Sequence, residues 1–200
     1  MGGIALLTAY GEYFSLFAGV SLAANIILII ACIIFFILDR KKYGALKRPS
    51  LKEVLPLMVA AVPVILVCAY FTAAGSFTYD TGTYHAQSIH WIETYGLVKG
   101  LAHMQTRLAF NSAYFSLCAL YSFSFLGRSM HVLSGFLGAF LMVCSLRGLL
   151  IRRREDGALR GPGVSDLAYM APFGYFLIIA VEIISPSTDH GTIWLILWLL

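Results

Sequence analysis

The chain carries little charge for its length. Charged residues make up 12% of its 200 residues, about half the ~25% found in soluble domains, while hydrophobic residues make up 60%. The mean hydropathy is +0.82. This composition excludes a water-soluble globule and predicts an integral membrane protein. The net charge is only +4 and the basic residues are clustered, which favours loops at a membrane surface and predicts no nucleic-acid partner.

Cysteines are few and follow no metal-binding or redox pattern. All of them lie inside apolar segments, without a CxxC or Cys/His spacing. We interpret them as small residues of an apolar environment: Cys32, Cys68, Cys118 and Cys144. The sequence also contains no internal repeat and no low-complexity tract, so we expect a single transmembrane domain over residues 1–200.

Apolar runs long enough to cross a membrane occur four times. Crossing the hydrocarbon core takes about 20 residues, and four segments qualify: 14–38, 54–75, 129–151 and 167–184. A further run from Ile193 to Leu200 is too short, so we expect the chain to be the N-terminal part of a longer protein. The pattern predicts an all-α, polytopic transmembrane helix bundle.

A fifth segment, 108–126, decides the topology. Asn111, several serines and two tyrosines interrupt it. If it crosses, the basic residues divide evenly between the two sides. If it lies at the outer interface, eleven of the fourteen Lys and Arg face one side, which the positive-inside rule assigns to the cytoplasm. We therefore expect an interfacial segment that lines an outer cavity.

The most polar long stretch, "SFTYDTGTYHAQSIHWIETYG" at 76–96, falls in this outer loop. Asp80 or Thr81 resembles a helix N-cap before an amphipathic interfacial helix over 82–95, with Trp91 at headgroup depth. Asp80 therefore has two interpretations. One is a helix cap, and the other is a functional carboxylate that acts as a base or metal ligand at the mouth of the cavity; the two roles are not mutually exclusive.

Other polar residues of the loop are candidates for substrate binding. His85 and His90 are five residues apart, so a two-histidine metal site is disfavoured, whereas His90 and Glu93 have the i, i+3 spacing of a pair. Arg107 suits bidentate contact with a phosphate, although general contact with lipid headgroups is the alternative. The full set of predicted substrate-binding residues is Tyr84, His85, His90, Glu93, Lys99, His103, Arg107 and Asn111.

A second acidic position, Asp189, lies in "SPSTDHG" at 185–191 after the fourth span. By itself this stretch is a good turn and cap sequence. On the preferred topology it faces the same compartment as Asp80. Two carboxylates at one cavity can hold a divalent cation such as Mg²⁺ or Mn²⁺, or divide the roles of base and substrate orienter. We therefore predict Asp80 and Asp189 as catalytic and metal-binding residues.

The acidic outer loop with its interfacial helices resembles GT-C type membrane glycosyltransferases. More closely, "YDTGTYHAQSIHWIETYGLVKGLAHMQTRLAFNSAYF" and "SPSTDHG" are similar to a poorly characterised family of bacterial membrane proteins from cell-envelope glycan loci. The resemblance implies a sugar donor on polyprenyl phosphate, a glycan or lipid acceptor, and Asp80 as base or metal-proximal acid. It also implies a bacterial inner-membrane protein whose active face is extracytoplasmic. The His-Pro-Pro motif of many GT-C enzymes is absent.

Two alternatives stay open from the sequence. A transporter or flippase of a lipid-linked glycan would use the same basic, aromatic cavity, although such proteins often show paired halves or broken helices. A structural membrane subunit would leave the clustering of acidic, histidine and arginine residues unexplained. We therefore expect a glycosyltransferase first and a transporter second.

Overall fold

The structure, a computed structural model, describes residues 2–44, 50–110, 112–156 and 163–199. Within these ranges all regular elements are helical and no strand occurs, which confirms the all-α prediction. Asn111 lies outside the described residues, as do Lys47, Arg48 and Arg160 from the charge argument. In chain order the α-helices are α1 (Gly2–Ser15), α2 (Leu22–Gly44), α3 (Leu51–Ala74), α4 (Ala86–Tyr95), α5 (Leu101–Met104), α6 (Ala113–Leu120), α7 (Leu133–Asp156), α8 (Val164–Ile179) and α9 (Thr188–Leu199).

Among the described helices, four are long and apolar enough to cross a membrane. The qualifying segments are Leu22–Arg40 of α2, Val54–Ala74 of α3, Leu133–Arg152 of α7 and Val164–Glu182, which extends α8 by a 3₁₀ turn. Each overlaps one of the four predicted spans. The chain is therefore a membrane protein with transmembrane helices.

The first predicted span, 14–38, began too early. Residues 16–21 form a turn that separates α1 from α2. This turn is hydrogen-bonded to the end of α4, because Val20 N donates to the Ile92 carbonyl at 2.9 Å and Leu97 N donates to the Ser15 carbonyl at 2.7 Å. These contacts join residues more than 70 positions apart, so the hydropathy of the local sequence does not reveal them.

The ambiguous segment 108–126 contains one short α-helix, α6, with a 3₁₀ turn before it and another after it. α6 has eight residues, which extend about 12 Å at 1.5 Å per residue, against about 30 Å of hydrocarbon. Ser112 caps it by accepting from Tyr114 N at 3.3 Å, and a turn follows at Tyr121. α6 is therefore too short to cross.

The chain forms two compact units. The first unit is Leu51–Gly82 with His131–Leu200, and the second is Gly2–Ser50 with Thr83–Met130. In the first unit α7 packs against α3, α8 and α9. Glycines permit these close approaches, since Gly135 lies against Thr72 and Gly148 against the Tyr169 ring. In the second unit α1 and α4 pack against α6, whose residues 115–120 are all buried.

Gly96 is the position in the second unit where a side chain fits worst. Its φ of 75° and ψ of −143° lie in a region that L residues rarely adopt, and a Cβ would meet the carbonyl oxygens of Ser15 and Ala18. Backbone strain of this kind costs about 1–3 kcal/mol. We expect Gly96→Ala to lower the unfolding temperature of the purified protein in detergent. Gly82→Ala is the matched control, because a Cβ there meets nothing within 4 Å; equal melting of the two variants would contradict this packing.

Candidate functional site

In the first unit, the segment before Asp80 is joined to the segment before Asp189. Ser76 N donates to the Val181 carbonyl at 2.7 Å, and Thr78 N donates to Ser185 Oγ at 2.8 Å. We call the residues 75–80 and 181–190 the loop junction. The two predicted catalytic acids are therefore carried by segments that hydrogen-bond to each other, although they are over 100 residues apart in sequence.

Asp80 does not occupy the capping position predicted for it. The helix begins at residue 79 and passes through a π-helical turn, Thr81–His85, into α4. Thr78 therefore precedes the helix, and its carbonyl accepts from Thr81 N at 3.1 Å and from Gly82 N at 3.4 Å. The predicted start at 82 was three residues too late, since local propensity does not reveal a π turn. Asp80 is half-buried in the first turn.

Asp189 lies exposed in the first turn of α9. Ser187 precedes this helix and accepts from Asp189 N at 3.3 Å through its side chain, as the turn and cap interpretation predicts. In the described part of the chain no group of three or more His, Cys, Asp or Glu is placed to hold a metal ion. Mg²⁺ needs only one or two carboxylates when a substrate phosphate supplies further oxygens, so a cation shared by Asp80 and Asp189 stays a prediction.

His190, the last residue of the loop junction, and Tyr175, whose ring lies near it, are polar residues that the sequence interpretation did not select. Burial lowers the pKa of the His190 imidazole, while the Glu182 carboxylate, the Ser185 carbonyl and the Asp189 carboxylate act in the opposite direction. The Tyr175 and His190 rings lie 6.5 Å apart. The signal in the sequence was a histidine directly beside the predicted acid, in "SPSTDHG".

In the second unit, a cation and several rings form a cluster. The Arg107 guanidinium carbon lies 5.6 Å from the centre of the Tyr84 ring, in cation–π geometry. The Tyr84 ring in turn lies 4.2 Å from His85 and 5.9 Å from Phe110. His85 is buried and also contacts Phe115 at 5.4 Å. The structure thus brings together three of the predicted binding residues, Tyr84, His85 and Arg107.

A groove of about 210 Å³ lies among α4, α5 and α6 in the same unit. Its volume is smaller than the roughly 300–1,000 Å³ of a pocket that buries a whole drug-sized ligand. The groove therefore suits only part of a long ligand. Phe110 and Phe115 belong both to its wall and to the aromatic cluster. The other walls are mostly apolar and include Ser88, Trp91, Ile92, Leu97, Leu101 and Leu108. We call this groove with Tyr84, His85 and Arg107 the basic aromatic groove.

Glu93 is buried, with 4% of its surface exposed. Ser129 Oγ donates to its Oε1 at 2.6 Å, and His90 Nδ1 lies 3.8 Å from its Oε2. The pair with His90 has the predicted i, i+3 spacing, but the Ser129 contact spans 36 residues and has no local signal. The role of Glu93 in substrate binding stays a prediction.

Lys99 lies in the turn before α5 and His103 lies within α5, and both are exposed. His103 N donates to the Gly100 carbonyl at 3.0 Å, and Gly100 has a φ of 88° that favours glycine. The role of Lys99 and His103 in substrate binding stays a prediction, as does that of Asn111.

Comparison with known proteins gives one match. A family model described as a domain of unknown function, DUF8201, matches residues 1–200. The chain belongs to the DUF8201 family. Neither the curated proteins nor the solved structures contain a match to it.

The DUF8201 match covers both units and therefore both candidate sites. Its description assigns no reaction.

Proposed function

We propose that the protein is a membrane glycosyltransferase that moves a sugar from a polyprenyl-phosphate donor to a cell-envelope glycan or lipid acceptor. The observation that carries the proposal is the Arg107 guanidinium stacked on Tyr84 in the same unit as an apolar groove. The cation suits the charged phosphate of a lipid phosphate, and the apolar groove suits its hydrocarbon chain. The resemblance of the loop to GT-C enzymes supports sugar transfer as the reaction.

The proposed topology places the long loop on the extracytoplasmic side of a bacterial inner membrane. α6 is too short to cross, so residues 75–132 begin and end on one side if the four long helices span. The region from the end of α2 to the start of α3 and the region from the end of α7 to the start of α8 then face the opposite side. In the sequence these two regions carry eleven of the fourteen Lys and Arg. The positive-inside rule supports the cytoplasm for that side.

In the proposed donor complex, Arg107 pairs with the phosphate and the groove takes part of the polyprenyl chain. A guanidinium already stacked on a ring loses less freedom when it pairs with an oxyanion. Trp91 lines the groove and is of the residue type that settles at headgroup depth. Binding at this depth leaves the sugar in water, where an acceptor hydroxyl can approach.

Asp80 is the proposed base. It removes the proton of the acceptor hydroxyl as that oxygen forms a bond to the anomeric carbon of the donor sugar. The bond from the anomeric carbon to the phosphate oxygen breaks, and polyprenyl phosphate leaves with the electron pair, stabilised by Arg107. A Mg²⁺ or Mn²⁺ ion held by Asp80 and Asp189 would supply further stabilisation of that charge.

The reaction is tested with the purified full chain in nanodiscs, polyprenyl-phosphate sugars labelled in the sugar, and a cell-envelope extract as acceptor. The proposal predicts label in a product that no longer carries the polyprenyl chain. Movement of intact labelled donor between the two leaflets without such a product would support the flippase alternative. Neither product nor movement with any donor would overturn both.

A further inference from the structure

The Ser88 hydroxyl is a buried polar group without a hydrogen-bond partner among the described residues. Only 8% of the surface of Ser88 is exposed, and the residue lines the basic aromatic groove. Buried polar side-chain atoms are nearly always paired in folded proteins, so each exception needs an explanation. Because Ser88 belongs to the wall of a groove, a ligand in that groove can supply the missing partner.

The helix around Ser88 does not supply that partner. Serine and threonine inside helices often donate to the carbonyl four residues earlier, as Thr72 does to the Cys68 carbonyl at 2.7 Å. Ser88 makes no such bond. The turn before it, Thr81–His85, is π-helical, which changes the register of the carbonyls behind Ser88. Single π turns inside helices are frequent at functional sites.

The groove offers hydrogen-bond donors within apolar walls. Among the described residues that line it, Ser88 and Trp91 are the two with a polar side-chain atom, and an indole only donates. The other lining residues are glycine, aliphatic or aromatic. A molecule that fills the groove therefore needs a mostly apolar body with an acceptor oxygen beside Ser88.

The segment 94–110, which supplies most of the lining residues, is basic. Lys99, His103 and Arg107 are exposed and adjoin lining residues in sequence, and the segment contains no aspartate or glutamate. Glu93, the acid just before it, is buried and accepts from a serine hydroxyl. The charge beside the groove therefore suits an anionic headgroup.

Along the helix, the cation comes first, then the hydroxyl, then the apolar wall. Tyr84, against which Arg107 stacks, lies four residues before Ser88, and Trp91 and Ile92 lie three and four residues after it. Residues at these spacings share a helix face and are about one turn of 5.4 Å apart. A glycerophospholipid has its groups in the same order: phosphate, acyl ester, hydrocarbon chain. A polyprenyl phosphate passes directly from phosphate to hydrocarbon and offers the hydroxyl no acceptor.

We propose that the groove holds an anionic glycerophospholipid of the bilayer, whose ester carbonyl accepts a hydrogen bond from Ser88 Oγ. The phosphate pairs with the basic residues of 99–107, and the acyl chain lies against the apolar walls. A volume of about 210 Å³ holds the start of one chain, so the rest of the lipid stays in the bilayer. This lipid goes beyond sugar transfer, because it binds without reacting and a polyprenyl donor has to displace it.

The carbonyl is tested with two phosphatidylglycerols of equal chain length, one with ester-linked and one with ether-linked chains. The full chain, purified in a maltoside detergent, is mixed with equal amounts of both, and native mass spectrometry resolves the two bound forms. We expect roughly two- to tenfold more ester than ether lipid on the wild type, the effect of one neutral hydrogen bond. The ester lipid with a phosphatidylcholine headgroup should bind more weakly. No sugar is present, so failure of the transfer reaction does not affect this result.

Ser88→Ala should bring the ratio of ester to ether lipid close to one. Ser116→Ala is the matched control, because Ser116 is also buried in the second unit but does not line the groove, and it should keep the wild-type ratio. The wild-type ratio needs no variant, so the test holds even if Ser88→Ala fails to fold. Equal binding of ester and ether lipid by the wild type would overturn the proposal, as would an ester preference that persists in Ser88→Ala. Equal binding of phosphatidylglycerol and phosphatidylcholine would overturn the anionic headgroup.

Discussion

Asp80→Asn abolishes sugar transfer, with a loss of about 10²–10⁴-fold in rate, if the Asp80 carboxylate is the base. Asparagine keeps the size and polarity of the side chain but does not accept a proton. The helix should persist, because Thr78 rather than Asp80 occupies the capping position. The measurement is the initial rate of label transfer in nanodiscs at equal protein amounts.

Asp39→Asn is the control for the loss of one aspartate, since Asp39 lies near the end of α2 and is exposed. Asp189→Asn distinguishes the role of Asp189 from that of Asp80. A loss of rate in Asp189→Asn that Mg²⁺ or Mn²⁺ partly restores would assign it to the cation. Transfer by Asp80→Asn at the wild-type rate would show that Asp80 is not the base.

Arg107→Ala weakens binding of the polyprenyl-phosphate donor by roughly ten- to a hundredfold. Hydrogen bonds to a charged group contribute about 1.5–3 kcal/mol, and 1.4 kcal/mol is a factor of ten in affinity. Arg107→Lys should recover only part of the loss, because an ammonium neither pairs in a bidentate way nor stacks on Tyr84 as well. The measurement is the Kd of a fluorescent polyprenyl phosphate in nanodiscs.

The matched control is Arg128→Ala, which removes an exposed arginine from the same unit. It lowers the positive charge equally and should leave the Kd nearly unchanged. Equal weakening by Arg107→Ala and Arg128→Ala would mean that general attraction to anionic lipid, and not a phosphate site, accounts for the binding.

The four spans could be predicted from the sequence because the hydrocarbon core demands about 20 apolar residues in a row. α3, α7 and α8 overlap their predictions closely. The first span differs, because residues 16–21 are held by hydrogen bonds to the end of α4. Hydropathy counts apolar residues, but a turn that distant backbone groups stabilise can interrupt an apolar run.

The site could be predicted only in part, for a similar reason. Residue type indicated Arg107 and Tyr84 as binding residues, yet their stacking depends on the fold of the whole loop. Ser129 was missed as the partner of Glu93. Tyr175 and His190 were missed because one lies in an apolar helix and the other beside a more conspicuous acid. Long-range pairs of this kind leave no periodic signal in a single sequence.

The most direct test is photo-crosslinking, since a lipid phosphate at the basic aromatic groove underlies both transfer and the flippase alternative. The full chain in nanodiscs is irradiated with a polyprenyl phosphate that carries a diazirine near its phosphate, and labelled peptides are mapped by mass spectrometry. We expect label within residues 88–115, displaced by excess plain polyprenyl phosphate and lost in Arg107→Ala. Label spread over the exposed apolar face of α2, unchanged by competitor or by Arg107→Ala, would contradict a donor site in the groove.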